Sequence, residues 1–423
     1  MSNEFSKEEK VAWADMCAGF EDACTLSTKV DTYPINGESM ERSNDTIWRP
    51  MPYIMQSFDG MDQTANFVDN TQMSVPASLS IKKSSPWYLD ALQLRDSQRA
   101  IDMAKAGLQI LSSNINTAVL NVAALQGSLV VKRTTAAAGF DDVALCEAVM
   151  NEQGVPMMDR YLALSTRDYN GMASNLSVAS RSFGNQKSDK AYEDGYVGRV
   201  SSFETYKLDV SRSLTAAAGG GAKTIDTQAA AVNYYTPRAT STAVTGEVSN
   251  VDNRFQTITV SSTANVAAGD AFTIAGVYAV HHITKQSTGQ LKTFRVYSVT
   301  DGTHMVITPP IISAQGSTDA ELQYQNCTVT PSANAAIVFL NTTTAAANPF
   351  WYKGSIELLP GGYVVPSDAG VAVLKYTTKQ GVAVTMTKQY DINNMKTKFR
   401  VDTFFGVVNK NPEMNGIILF GQA

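Results

Sequence analysis

The hydrophobic rhythm of the chain changes along its length, and each change marks a different kind of element. Segment 96–126 is the clearest, with no Pro and a single Gly, Gly107. Ile101, Ala104, Leu108, Leu111, Ile115, Ala118, Val122 and Leu125 recur there at spacings of three and four. They fall on one helical stripe, and Gly127 supplies a stop. About thirty residues at ~1.5 Å each make a rod of roughly 45 Å. A second amphipathic helix is expected within 6–30, with Val11, Ala14, Ala18, Cys17 and Cys24 as its contact face. A third spans 140–152 and ends at Gly154-Val155-Pro156. Arg160–Leu164 reads as a buried strand, Ser165 can cap the helix after it, and another strand follows at 198–203. Helix–strand–helix–strand order is the mark of an α/β layer.

After Ala216-Ala217-Ala218-Gly219-Gly220-Gly221, a flexible junction, the period falls to two. Ile258 and Val260 alternate with Thr, and Phe272 and Ile274 follow a Gly269-Asp270 turn. Phe294 and Val296 precede Asp301-Gly302, a hairpin signal leading into Met305–Thr308. Five or six short strands across 224–345 predict a small barrel, tolerated as an insertion where its two ends lie close together. Strand patterns return at 382–387, 398–408 and 417–420 and are expected to rejoin the sheet begun before the insertion. Residues 31–80 differ: they are irregular, rich in Gln, Asn and Asp, with a turn at Asp59-Gly60. Ser39–Pro50 combines both charge signs with a Trp, yet has neither helical nor strand period. A long segment with so little core is either functional or disordered, and is expected to dock on something else.

Composition narrows the function. Charged residues are 17%, below the usual quarter, alongside abundant Ala, Thr and Ser. That suits a surface hidden against copies of itself, and equally an ordinary Thr-rich β protein. Residues 1–45 carry ten acids against four bases, so −6 of the net −5 lies there and the remainder is +1. An acidic arm favours a basic partner, and the lack of a basic stripe argues against nucleic-acid recognition. Four scattered Cys form neither a disulfide framework nor a zinc site, and are expected as buried thiols. The start lacks the apolar core of a secretory signal, and no run reaches the ~18 apolar residues of a membrane span. A soluble, cytoplasmic protein is expected.

Catalytic constellations are missing. On a strand, adjacent His281 and His282 would point to opposite faces and could not share a metal; His304 follows a turn. Gly219–Thr224 looks like a phosphate loop, but Ala217 and Ala222 stand where that motif needs Gly. Asp141 and Asp142 open a helix, where its dipole accounts for them. No enzyme, cofactor or metal is expected.

Ser39–Pro50, the long helix into Gly127-Ser128-Leu129-Val130, Val251–Phe255, Gly269-Asp270 with Ala275-Gly276-Val277, and Asp301–His304 with Ile307-Thr308-Pro309 occur together in one order. In that order they resemble the coat proteins of the P22-like short-tailed phages, within the Hong-Kong-ninety-seven-type capsid family. The resemblance implies a mixed α+β fold with an N-terminal arm (1–49), an extended loop (50–78) and a peripheral domain (79–139) with a spine helix at 96–126. An axial domain (140–223), an inserted β-barrel (224–345) and C-terminal axial and peripheral strands (346–423) would complete it. It implies a virion shell of hexamers and pentamers, assembled in the host bacterial cytoplasm with a scaffolding protein. A portal protein would occupy one vertex, and double-stranded DNA would be enclosed without sequence-specific contact, with no membrane. A barrel loop at about 238–254, with Glu247, Asp252, Asn253 and Arg254, would meet a neighbouring capsomer. The family's acidic pair is replaced there by Ala243 and Thr245. Arm and extended-loop contacts would fall on Arg42, Trp48, Arg49 and Asp59, and scaffold contacts on Glu8, Glu9, Asp15, Glu21 and Asp22. The alternative is a β-rich decoration or receptor-binding module that forms a small closed oligomer.

Overall fold

The computed structural model describes residues 5, 7–33, 46–64, 66–90, 92–93, 97–180, 197–208, 211–217, 223–226, 234–366 and 370–423. The chain divides into two compact units. One comprises 1–47, 77–120 and 356–408; the other comprises 48–76, 121–355 and 409–423.

In the first unit, helix α1 (Lys7–Ala23) buries Trp13, Met16, Cys17 and Phe20, with Cys24 just beyond it. The expected contacts Val11, Ala14 and Ala18 are exposed instead. At about 100° per residue those three lie on the opposite side, and the Trp, Met and Phe face offers far more apolar area to bury. The sheet beneath is antiparallel through Ala372–Thr377, Ala383–Asp391 and Lys396–Asn409, and Ile81–Asp90 pairs along Lys396–Phe405. Trp87 stacks on Phe399 at 5.7 Å between ring centroids.

Helix α2 (Ser97–Gln126) begins in this unit and ends in the other. By length and composition alone it could cross a membrane, but its apolar residues form the stripe of a core helix. Ala104, Leu108, Leu111 and Ile115 are buried as expected; beyond them Val119, Leu120, Ala123 and Ala124 are buried, while Ala118, Val122 and Leu125 are only half-buried. At this end Ala124 packs with Val130, Leu214, Ala271 and Ile417, so the neighbouring elements rather than the heptad repeat set the buried face.

In the second unit a six-stranded sheet runs Leu129–Lys132, Asn415–Leu419, Asn348–Tyr352, Arg160–Ser165, Phe203–Leu208, Arg199–Val200. The last strand of the chain thus lies inside the sheet, parallel to Leu129–Lys132 and antiparallel to Asn348–Tyr352. Helices α3 (Phe140–Glu152) and α4 (Thr166–Ser180) follow the sequence pattern, and Ser165 Oγ accepts from Asp168 N at 3.2 Å as the cap of α4. The strand expected at 198–203 is split by a turn at Ser201, whose φ is 54°. Gly127 is required by proximity: a Cβ there would sit 2.8 Å from Gly416 N.

The barrel strands are Lys223–Thr224, Ala336–Phe339, Ala271–Val280, Ser287–Val299, His304–Thr308 and Gln256–Thr259, in that spatial order. An Ile225–Val260 bridge joins the two ends of the sheet. Phe272, Phe294, Ile258, Val296 and Ile307 fill its interior. At the neck, Ser213–Leu214 pairs with Ala345–Ala346. Asn341 clasps it: Nδ2 donates to Thr215 O and to Asp270 Oδ1, both at 2.9 Å, while Oδ1 accepts from Ala271 N at 3.1 Å. The Gly-rich junction at 219–221 lies outside the described residues.

A buried ionic cluster fastens the barrel's side. Lys292 pairs with Glu413 and donates to Gln153 Oε1 at 3.1 Å, and His282 Nε2 lies 3.3 Å from Glu413. Burial pushes His282 down to about 4, against the pull of Glu413 and with help from Lys292, Lys285 and His281. Burial alone would raise the Glu413 carboxyl, but Lys292 and His282 hold it below its ordinary value.

Two outcomes are expected. Because the unfolded chain takes up the His282 proton first, stability should fall as pH drops from about 6.5 toward 4, by up to about 3 kcal/mol. Urea melts of wild type and His282→Gln across that range measure it, and the variant should lose most of the slope. On α2, Val119→Ala should cost about 2 kcal/mol in the same melts and Val122→Ala under about 1 kcal/mol, reversing the order of a strict heptad.

Candidate assembly surfaces

Thr240–Thr242 and Val248–Asn250 form a two-stranded hairpin in register Thr240↔Asn250, Ser241↔Ser249, Thr242↔Val248. Ala243 N donates to Glu247 O at 2.8 Å, and Gly246 takes the positive φ, 85°, that the turn needs. From Thr242 to Asn250 every residue is exposed, including Val244 and Val248. A bare two-stranded ribbon is marginal in water, so its order comes from its root. Asn253 supplies that root. Its Oδ1 accepts from Arg238 N at 3.1 Å and Tyr235 Oη at 2.9 Å, and its Nδ2 donates to Arg238 O at 2.9 Å. Arg254 Nη2 meets Asp252 at 2.6 Å, and its Nη1 donates to Asn409 O at 2.8 Å.

Of the four residues expected at this surface, only Glu247 is at the tip. Asp252 is half-buried, Asn253 and Arg254 are buried, and all three are engaged within the chain. The short polar run read as a contact motif is a root motif, a distinction that depends on which way the backbone turns after Val251.

Segment 51–73, expected as an extended loop, leaves strand Thr46–Pro50, which pairs with Ser74–Ser78. This strand is a correction to the expected lack of period, and it holds Trp48 and Arg49 half-buried. Between Met51 and Met73 the described residues include neither helix nor strand. Tyr53, Met55, Phe58, Met61, Phe67 and Val68 are exposed, and Asp59 is exposed at the Gly60 turn. Met61 and Phe67 bury almost nothing within the chain, and the others are only partly covered. Arg42 lies outside the described residues, as does the Glu8 side chain.

On the arm, Lys388 meets Glu9 at 2.8 Å, and Glu21 accepts from Tyr376 Oη at 2.8 Å with Lys379 3.5 Å away. The Tyr376 hydrogen bond lowers the Glu21 carboxyl, outweighing desolvation, with Lys379 adding to it. These two acids fasten α1 to its own sheet, while Asp15 and Asp22 stay exposed.

The His residues have structural partners. His281 and His282 lie in a turn past the strand end; His281 Nδ1 accepts from Thr284 N at 3.1 Å. Asp301 accepts from Thr303 N at 2.8 Å and His304 N at 2.7 Å, and these bonds with the His304 ring hold it at about 2. Asp142 is fully buried against Arg133 at 2.6 Å. All four cysteines are free and buried. Among the described residues no group of three His, Cys, Asp or Glu could hold a metal.

The sequence matches the family of P22 coat protein, gene protein 5, over residues 1–421. Among solved structures, the capsid of Cyanophage P-SCSP1u is 12% identical, with 92% of each chain covered and a TM-score of 0.42. A Mycobacterium phage Che8 structure is 7% identical, covering 89% of this chain and 85% of that one, with a TM-score of 0.42. The CUS-3 coat protein I-domain is 38% identical over 28% of this chain and 96% of its own, with a TM-score of 0.21. The fold itself is mixed α+β. The chain belongs to the P22 coat protein family: it is a structural major capsid protein that assembles with copies of itself into the icosahedral shell of a phage virion.

Proposed function

We propose that the subunits associate as hexamers and pentamers through the extended loop, the arm and the protruding hairpin, on a scaffolding protein and around a portal at one vertex. The row of exposed apolar residues on the extended loop carries this reading. A neighbouring copy would cover Phe58, Met61 and Phe67, while Trp48, Arg49 and Asp59 set the loop's direction and Arg42 extends the arm contact. Residues 1–49 act as arm, 50–78 as extended loop, 79–139 as peripheral domain, 140–223 as the first part of the axial domain, 224–345 as inserted barrel, and 346–423 as the C-terminal axial and peripheral strands. At the hairpin, Val244, Glu247 and Val248 meet the opposing capsomer, with Asp252, Asn253 and Arg254 holding them in place. Double-stranded DNA is packed inside by volume, since a shell with a near-neutral body does not trap it.

Repeated weak interfaces suit a closed shell, because the avidity of many contacts replaces the strength of each. A basic scaffold segment would engage Asp15 and Asp22, the arm acids left exposed. Glu9 and Glu21 act on arm placement, and Glu8 belongs to the same acidic run.

Met61→Ser with Phe67→Ser should leave subunit stability within about 0.5 kcal/mol and reduce shell yield at least about tenfold in sedimentation with scaffold. Wild-type yield would refute the loop's role. Asp15→Asn with Asp22→Asn should weaken scaffold-dependent assembly and flatten its salt dependence. Unchanged salt dependence would remove the arm from scaffold recognition.

A further inference from the structure

The hairpin and the extended loop share one root. Asp252, at the hairpin's foot, forms a parallel β-bridge with Ser74, where the extended loop returns to its strand. Next to it, Asn253 takes the Tyr235 hydroxyl at 2.9 Å, and the Tyr235 ring packs on a cluster of Met73, Ile312 and Tyr324 with Met51 and Ile54. Met51, Ile54 and Met73 belong to the extended loop. Helix α5 (Asp319–Tyr324) completes the joint: Tyr324 Oη donates to Thr71 O at 2.8 Å and Gln323 Nε2 to Asp69 O at 3.0 Å. A cavity of about 30 Å³ remains among Met51, Ile54, Met73, Asn253, Arg254 and Tyr324. The two elements therefore meet across a joint that is hydrogen-bonded but not fully packed, and such a site can shift between arrangements.

We propose that this joint couples the two elements within each subunit, so that ordering the hairpin root orders the extended loop and the reverse. The physical basis is conformational entropy. Once one partner has fixed Asp252 and Asn253, the backbone at Thr71–Ser74 has less freedom left to lose, so the second contact forms at lower cost. Linkage makes the effect reciprocal. A capsomer gripped at its hairpin would then present a pre-ordered loop to its neighbour, which makes closure of the shell cooperative without any new contact. The proposal rests on reading both elements as surfaces that meet other copies, but the coupling is internal and is measured on the free subunit.

Amide hydrogen exchange on the full-length soluble subunit tests it. Asn253→Ala should raise exchange at Thr71–Ser74 by about fivefold or more, together with the hairpin, while barrel amides such as Val296 keep their protection. Tyr324→Phe, which removes only the hydroxyl bond to Thr71, should raise exchange at Val251–Asn253. Val244→Ser at the tip should change neither. If Asn253→Ala loosens the whole barrel, Tyr235→Phe decides, since it keeps the ring and deletes one bond to Asn253. Faster hairpin exchange with Thr71–Ser74 unchanged would overturn the coupling. Because no assembly enters the measurement, that result is distinct from a failure of the shell-building surfaces, which would appear only in sedimentation.

Discussion

An inserted domain can exist only if its two chain ends stay together, and everything the barrel contributes depends on that closure. Here it is held by a two-residue strand pair, Ser213–Leu214 with Ala345–Ala346, and by Asn341, which uses both ends of its amide across the neck. The ring of strands closes independently through Ile225 and Val260. Lys292, Glu413 and His282 then stop the barrel from swinging on its neck. Removing one partner would leave a buried charge unmatched, which costs more than the pair itself contributes.

This arrangement separates segments that fold from segments that are held. The sheets and the barrel have their own apolar interiors. The extended loop and the hairpin have none, and their backbones are ordered by a few directed bonds from Asn253, Gln323 and Tyr324. Such elements remain adaptable until something covers them, and they present apolar area without disturbing the body that carries it. The arm is intermediate: it packs Trp13, Met16 and Phe20 inward yet keeps Asp15 and Asp22 in water.

Much of the architecture was legible in residue order. The four barrel strands around Ile258, Phe272, Phe294 and Met305 follow from alternation and from the turns at Gly269-Asp270 and Asp301-Gly302, because both signals are local. Helix existence was equally clear, but helix facing was not. Small Ala and Val residues on α1 imitate a stripe that the larger Trp, Met and Phe override, and the α2 stripe turns after Ile115 because the distant neighbours of Ala124 select its buried face. Least legible were the roots. Asp252, Asn253 and Arg254 look like surface chemistry until the Tyr235 hydroxyl is seen to donate to Asn253, and Arg254 to the Asn409 carbonyl. The exposed loop side chains could be suspected from lack of period, but no pattern in the sequence tells a coreless segment from its anchor.

The position of Asn415–Leu419 between Leu129–Lys132 and Asn348–Tyr352 has a consequence for how the molecule is made. A strand translated after both of its neighbours lies between them, so they must wait, edges open, until the ribosome has passed residue 419. The barrel's strands and neck are complete by residue 346, so that sheet can close while translation continues, with Lys292 and His282 left to await Glu413. Each subunit thus passes through a stage with a finished insertion on an unfinished base, and during that interval the open strand edges at 129–132 and 348–352 are the surfaces a chaperone would have to shield.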